Sequence, residues 1–175
     1  MKAHVRPETP ADCNAAWNVN RQAFGQDDEG VLVIALQRGG YTAVSLVAEA
    51  DGIIVGHILF SRIEIRTSTG VIPALSLAPM AVLPDHQNQG IGSELVRRGL
   101  KECAASGHRI VIVLGHAKFY PRFGFSAKLA EPLSSPFGGG ESWMALELVP
   151  GSLKDVAGLV EYSPPFMAAP QRERH

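Results

Sequence analysis

The segment LAPMAVLPDHQNQGIGSELVRRGLKECA, residues 77–104, passes from an apolar extended run into a helical pattern through two closely spaced glycines. The first turn of a helix has unpaired N–H groups and a partial positive charge, which together attract an anion. Gly90 and Gly92 have no side chain that could block a phosphate. The segment therefore predicts either a tight strand–helix turn or a phosphate cradle. The residues of that cradle would be Gln87, Asn88, Gln89, Gly90, Ile91, Gly92 and Ser93.

Pro79 lies inside the extended run that precedes the glycines. Proline has no N–H to donate to a strand ladder and is tolerated mainly at sheet edges or bulges. We therefore expect a break or bulge near residues 78–80. The whole run IPALSLAPMAVLP, residues 72–84, is more continuously apolar than the strands before it, with Ser76 as its polar member, which predicts a strand in the centre of a sheet.

Two helices and a hairpin are predicted before this run. TPADCNAAWNVNRQAFG, residues 9–25, has a capping threonine, a proline suited to the first helical position and a terminal glycine. A second helix is expected over residues 28–38, ended by two glycines. Asp51-Gly52 is a strong two-residue turn signal between the two strands of residues 44–66.

The later segments alternate between helix and strand. A helix is predicted from residue 90 to about 106, a buried strand over 109–114 and a helical turn over 116–125. Further strands are expected over 142–149 and within 158–166. This mixture predicts an α/β fold with a mixed sheet, in a single domain over residues 1–175.

Composition excludes several classes of protein. Of the 175 residues, 46% are hydrophobic and 19% charged, which is ordinary for a globular domain. Sixteen basic side chains against seventeen acidic ones give no basic footprint for nucleic acid. The apolar runs, of about ten residues at most, are too short for a membrane span. The first residues show no apolar segment of the secretory type, so we expect no secretory signal. We expect a cytoplasmic monomer or homodimer without a membrane partner.

The two cysteines give no sign of a metal site, and the sequence does not match the known nucleotide-binding motifs. The separation of Cys13 from Cys103 matches no metal-ligand spacing, so no metal is expected. A Walker loop ends in Gly-Lys-Ser/Thr, which is missing here, and the dinucleotide fingerprint needs a glycine where Leu95 stands. A nucleotide-binding module would also need an acidic metal ligand, so it is a distant alternative.

Beyond these patterns, VLPDHQNQGIGSELV resembles the acyl-CoA-binding motif Gln/Arg-x-x-Gly-x-Gly/Ala of the GNAT superfamily of N-acetyltransferases. Gln87, Gly90 and Gly92 occupy its three defined positions. DGIIVGHILF, residues 51–60, is similar to the paired central strands of that family.

A later segment, FYPRFGF, resembles the family pattern Tyr-x-x-x-Gly-Phe. Tyr120, Gly124 and Phe125 are in register with it. The order and spacing of all these segments agree over roughly residues 45–126, which makes the resemblance much more specific than one motif alone.

The resemblance implies a mostly antiparallel sheet, flanked by helices, with a V-shaped splay between its two central strands. Acetyl-CoA would be the co-substrate, with its pantetheine arm in the splay. Backbone groups of Met80 and Val82 would pair with the pantetheine amides, and residues 87–93 would hold the pyrophosphate. A backbone N–H near Ala81 or Val82 would donate a hydrogen bond to the oxyanion that forms during the reaction.

The resemblance also implies that Tyr120 is the general acid that protonates the leaving thiolate; the alternative is an amphipathic core tyrosine that bonds a backbone group. Many relatives use a glutamate on the central strands or a chain of waters as general base, and ALSLAPMAVL, residues 74–83, contains no acid. His116, just beyond the buried strand, is the preferred candidate; the alternative is a surface histidine without a catalytic role. The other candidates are Asp28, Glu29, His57 and Glu64. Many relatives carry an asparagine at the end of the strand before the tyrosine, and this chain has none.

These inferences predict direct transfer of an acetyl group to a primary amine of a small molecule or peptide. The acceptor site is expected from the N-terminal helices, from GYTAV (40–44) and from EPLSSPFGGGESW (131–143). Two alternatives stay open: a non-catalytic acyl-CoA sensor, and a transferase that uses a longer acyl-CoA.

Overall fold

Strands and helices follow each other along the chain in a computed structural model that describes residues 2–168. The strands are β1 (His4–Pro7), β2 (Thr42–Ala50), β3 (Ile53–Arg66), β4 (Val71–Val82), β5 (Ile110–Leu114), β6 (Leu133–Ser134), β7 (Trp143–Glu147) and β8 (Gly158–Glu161). The helices are α1 (Cys13–Phe24), α2 (Asp28–Arg38), α3 (Ile91–Ala105), α4 (Ala127–Ala130) and α5 (Pro164–Ala168). The three long helices and the strands expected from the sequence are thereby confirmed.

The strands form one eight-stranded sheet with the order β1-β2-β3-β4-β5-β7, and β8 joins β6 to β3. Neighbours are antiparallel in β1–β2, β2–β3, β3–β8 and β5–β7, and parallel in β4–β5 and β6–β8. The predicted α/β class with a mostly antiparallel sheet is therefore confirmed. The apolar run of β4 does occupy an interior position, as its lack of a polar face predicted.

The chain packs as two compact units. Unit 1 comprises Met1–Ser61 with Ala78–Glu102, and unit 2 comprises Arg62–Leu77 with Cys103–His175. The single domain expected over residues 1–175 stays a prediction.

Local signals explain the boundaries of the elements in unit 1. The N–H of Thr9 donates to Asp12 Oδ2 (2.8 Å) at a short 3₁₀ turn, Pro10–Asp12, that leads into α1. Gly25, with φ of 71°, ends α1 in the left-handed conformation that glycine adopts without steric cost. Asp51 and Gly52 have φ of 50° and 76°, as a two-residue hairpin turn requires.

Helix α3 lies close against β3 in unit 1 because a glycine stands at each of two contact points. A Cβ added to Gly56 would lie 3.0 Å from Leu95 Cδ1 and 3.2 Å from Ile91 Cγ2. A Cβ added to Gly99 would lie 2.3 Å from Phe60 Cε2. All three distances are shorter than ordinary contacts, so these glycines set the distance between the helix and the strand. The first turn of α3 is thereby fixed in place.

The core of unit 2 is an apolar cluster that takes side chains from β3, β4, β5, β7 and β8. Its largest member, Trp143, is buried and donates its indole N–H to the backbone oxygen of Leu133 (3.0 Å). The buried residues of the cluster are Ile63, Ile65, Ala74, Ile110, Ile112, Ala130, Leu133, Trp143, Ala145, Leu153 and Val160. Over residues 2–168, none of the helices has both the length and the apolar character that a membrane crossing requires.

Candidate functional site

The loop that follows β4 is folded back onto the end of its own strand in unit 1. The N–H of Leu83 donates to Val55 O (2.8 Å), and Pro84–His86 then form a 3₁₀ turn. The Gln87 side chain returns to donate its amide to Val82 O (2.9 Å). One of the two N–H groups of this amide therefore orders the loop.

Two residues of the loop adopt the left-handed conformation just before α3. Asn88 has φ of 61° and Gly90 has φ of 85°. In the first turn of α3, the first N–H that has an acceptor is that of Glu94, which donates to Gly90 O (3.1 Å). The N–H groups of Ile91, Gly92 and Ser93 therefore precede the first intrahelical hydrogen bond. Together with the positive end of the helix dipole they offer donors to an anion.

Gly92 has no conformational or packing reason to be glycine. A Cβ added there would lie 3.4 Å from Met80 Cε and 3.8 Å from Val82 Cγ2, which are tolerable contacts with flexible side chains. Its φ lies outside the left-handed region. The protein itself leaves room at Gly92, and a ligand that approaches the backbone closely would use that room.

The end of β4 carries the other predicted cofactor contacts. Ala81 and Val82 are buried and Met80 is half-buried. The strand is continuous up to Val82, so the disturbance expected near residues 78–80 does not end it, and the Ala78–Pro79 peptide bond is cis. The structure thus brings Met80, Val82, Gln87 and Gly92 together in unit 1.

Tyr120 opens a short 3₁₀ turn, Tyr120–Phe123, in unit 2. The N–H groups of Phe119 and Tyr120 donate to His116 O (3.1 and 3.3 Å), which fixes the turn to the end of β5. Only 6% of Tyr120 is exposed. Burial raises the pKa of its phenol well above the ordinary value, so the hydroxyl stays protonated.

No hydrogen bond to the hydroxyl of Tyr120 is found among residues 2–168, and the hydroxyl oxygen is not completely enclosed. A buried tyrosine usually finds such a partner. The sequence left open whether Tyr120 is a core residue that bonds a backbone group, and no such bond is found in the described part of the chain. The donor is therefore available to a ligand.

His57, a candidate base, is fully buried in unit 1 and both of its ring nitrogens are engaged. Asn20 Nδ2 lies 3.0 Å from Nδ1, and because an amide N–H₂ can only donate, Nδ1 accepts. The proton is therefore on Nε2, which lies 3.0 Å from Ser45 Oγ and 3.4 Å from Glu8 Oε2. We call these four residues, with Gln37, the histidine network.

Glu8 is the acidic member of the histidine network. Burial opposes ionisation of its carboxyl, but hydrogen bonds from His57, Ser45 and Gln37 outweigh burial and lower its pKa. Gln37 Nε2 donates at 2.8 Å and the Ser45 hydroxyl donates to the same oxygen. This network joins β2 and β3 to α1 and α2, so His57 has an evident structural role.

The remaining base candidates differ in exposure. His116 and Glu64 are exposed, while Glu29 is buried and accepts from Gln26 Nε2 at 3.2 Å.

Sequence reasoning missed Glu8, Ser45 and Asn20 altogether. Asn20 offered the one usable signal, since it stands on the apolar face of α1 where a polar residue requires a partner. Within residues 2–168 no group of three or more histidine, cysteine, aspartate or glutamate side chains could hold a metal ion.

Residues 42–127 of the chain match the acetyltransferase (GNAT) domain family. An uncharacterized N-acetyltransferase of Escherichia coli strain K12, YhbS, is 32% identical over 164 residues, which cover 93% of this chain and 97% of YhbS. The crystal structure of YhbS from Escherichia coli in complex with CoA is similar with a TM-score of 0.88, over 95% of this chain and 93% of that one.

Two further relatives extend the comparison. A GNAT family acetyltransferase from Brucella melitensis, crystallised with acetyl-CoA, is 32% identical with a TM-score of 0.79, over 94% of this chain and 98% of that one. A second uncharacterized N-acetyltransferase of Escherichia coli K12, YjhQ, is 38% identical over 117 residues. That match covers 66% of this chain and 65% of YjhQ, just under two thirds of its length.

Proposed function

Because the chain belongs to the GNAT family of acyltransferases, we propose that it moves an acetyl group from acetyl-CoA to a primary amine by direct transfer in a ternary complex. The observation that carries the donor half of this proposal is the start of α3. There, the N–H groups of residues 91–93 precede the first intrahelical hydrogen bond, and packing does not require a glycine at position 92. Relatives crystallised with CoA and with acetyl-CoA support the same donor.

The residues of unit 1 would hold the donor in two stretches. Residues 87–93 present N–H groups to the pyrophosphate, whose negative charges suit the positive end of the α3 dipole. The backbone of Met80 and Val82 pairs with the pantetheine amides. The Gln87 amide, one of whose N–H groups already bonds Val82 O, keeps the loop and the strand in one arrangement.

The transfer itself needs a neutral amine, a stabilised oxyanion and a proton for the thiolate. The amine nitrogen attacks the thioester carbonyl carbon, and the oxygen takes the electron pair and accepts from a backbone N–H of Ala81 or Val82. When the C=O bond re-forms, the C–S bond breaks and its electron pair leaves on sulfur. Tyr120 donates its proton to that sulfur and regains one from solvent, while the amine proton leaves to solvent, either through His116 or directly to water. The products are an amide and free CoA thiol.

The state of Tyr120 supports its part as general acid. Its phenol is kept protonated by burial, and its donor has no competing acceptor within the described residues. A positioned proton donor contributes roughly 10²- to 10⁴-fold in rate. His116, whose side chain is exposed, can pass a proton to bulk water.

The acceptor is proposed as a primary amine of a small molecule or peptide. Calorimetric titration with acetyl-CoA, longer acyl-CoAs and free CoA tests the donor, and thiol release across a panel of amines then tests transfer. We expect micromolar binding of acetyl-CoA and thiol release with at least one amine. No binding of any CoA thioester would overturn the proposal, and preference for a longer acyl-CoA would change the donor.

A matched pair of variants on α3 tests the cradle. Gly92→Leu should weaken acetyl-CoA binding by about a hundredfold or more, since each lost hydrogen bond to a charged group is worth about 1.5–3 kcal/mol. Lys101→Leu, which places the same side chain at an exposed position later on α3, should leave affinity unchanged. Calorimetry and thermal melting of both variants separate loss of binding from loss of fold. Equal affinity in both variants and wild type would show that residues 87–93 do not hold the pyrophosphate.

A further inference from the structure

Gly115 stands between the end of β5 and the turn that carries Tyr120. A Cβ added to Gly115 would lie 2.5 Å from Tyr120 Cε2, 3.1 Å from Cδ2 and 3.5 Å from Cζ. No real Cβ approaches a ring atom as closely as 2.5 Å. One edge of the Tyr120 ring therefore rests on the bare backbone of Gly115, and any side chain at this position must displace the ring.

Two aromatic side chains also pack against the Tyr120 ring. Phe119 lies edge-on to it with ring centroids 5.0 Å apart, and Phe125 does so at 5.6 Å. Phe125 is itself buried. These edge-to-face contacts are favourable and limit how far the ring can turn.

The backbone around Gly115 is fixed as well. Its N–H donates to Ser142 O (2.9 Å), and the N–H of Tyr120 donates to His116 O (3.3 Å). Since no group among residues 2–168 bonds the Tyr120 hydroxyl, that hydroxyl is placed by ring packing alone. In most buried tyrosines a hydrogen bond to the hydroxyl would share this task.

We propose that Gly115 is a positioning residue for Tyr120, with Phe125 as the second wall of the ring's seat. The inference rests on the proposed role of Tyr120 as the proton donor to the leaving thiolate. Proton transfer requires the two heavy atoms within hydrogen-bond reach, about 2.6–3.2 Å. With alanine at position 115 the ring must retreat by about 1 Å to restore an ordinary contact, and a misplacement of about 1 Å costs up to about 10²-fold in rate.

A double-mutant cycle tests this inference. Gly115→Ala should lower kcat by about 10- to 100-fold while the KM for acetyl-CoA changes less than about threefold. Tyr120→Phe removes the hydroxyl, so Gly115→Ala should have almost no further effect on kcat in that background. The readout is steady-state thiol release at a saturating amine, with thermal melting of every variant.

Gly107→Ala is the control for lost stability. Gly107 ends α3 with φ of 87° and an added Cβ would meet no atom within 4 Å, so this variant strains the backbone without touching Tyr120. It should melt earlier than wild type and keep its kcat. Should Gly115→Ala not fold, Phe125→Leu loosens the second wall and must show the same coupling to Tyr120→Phe.

The outcomes separate this inference from the proposed function. Wild-type kcat in Gly115→Ala, or an equal loss of kcat with and without the Tyr120 hydroxyl, would overturn the positioning role. A rise in KM at unchanged kcat would do the same. Wild-type kcat in Tyr120→Phe would instead remove Tyr120 from the mechanism, and loss of acetyl-CoA binding in wild type would remove the donor.

Discussion

His57 and Tyr120 are both buried aromatic residues with a polar group, yet their surroundings are opposite. His57 is fully buried, and both of its ring nitrogens have partners in the histidine network. Tyr120 is 6% exposed, and its hydroxyl has no partner in the described part of the chain. Burial of a polar group is unfavourable unless something bonds it. The bonded ring nitrogens of His57 therefore indicate a structural role, whereas the hydroxyl of Tyr120 is available to donate to a ligand.

Removal of the Tyr120 hydroxyl tests the second half of this comparison and should have the largest effect. Tyr120→Phe should lower kcat by about 10²- to 10⁴-fold and leave acetyl-CoA affinity nearly unchanged. The melting temperature should hardly move, because no internal hydrogen bond is lost. Steady-state kinetics, calorimetry and melting measure the three quantities. Parallel losses of turnover and affinity would mean that Tyr120 is structural.

The histidine network should respond in the opposite way. His57→Leu leaves Asn20 and Glu8 without one of their partners, and each buried group so affected costs about 1–3 kcal/mol of the free energy of unfolding. The kcat per folded molecule should stay near wild type. Urea unfolding and kinetics at a temperature well below the melting point measure both.

His116 provides the matched histidine for that experiment. It is exposed, so His116→Ala should leave the melting temperature almost unchanged, and a fall in kcat would then identify it as the base. If His57→Leu instead kept its stability and lost turnover, His57 would be the catalytic histidine and the comparison would be reversed.

Local sequence signals predicted most of the fold because caps and turns are decided within a few residues. Asp51-Gly52 formed the expected hairpin turn, and Gly25 and Gly107 end helices α1 and α3 in the left-handed conformation. Strand β6 and helices α4 and α5, all short, were not predicted. Helix α4 depends on a cap by Ser126, whose backbone also pairs with Ala145 of a distant strand. Such an element is stabilised by tertiary contacts, which periodicity does not reveal.

The residues of the candidate site also differ in whether neighbours in the sequence or tertiary contacts reveal them. Gln87, Gly90 and Gly92 fall within one short loop, so a motif could locate them. The partners of His57 lie 12 residues away at Ser45 and 37 away at Asn20, so only the folded chain brings them together. The packing around Tyr120 is intermediate in how far the sequence reveals it. Gly115 is close in sequence, but its significance depends on where the ring lies.

The smallest expected effect concerns the pH dependence of stability that the histidine network confers. The folded state lowers the pKa of Glu8 below the ordinary value of 4.5, so the ionised carboxylate is favoured by folding. This contribution is fully present above about pH 5 and is lost as the pH falls through the lowered folded pKa. Glu8→Gln removes the titrating group, so the free energy of unfolding should fall less steeply between about pH 5 and 3 than in wild type. Urea unfolding at several pH values measures the slope. Parallel slopes in the two proteins would show that Glu8 is not stabilised as the anion, and would leave His57 without the charged partner that distinguishes it from Tyr120.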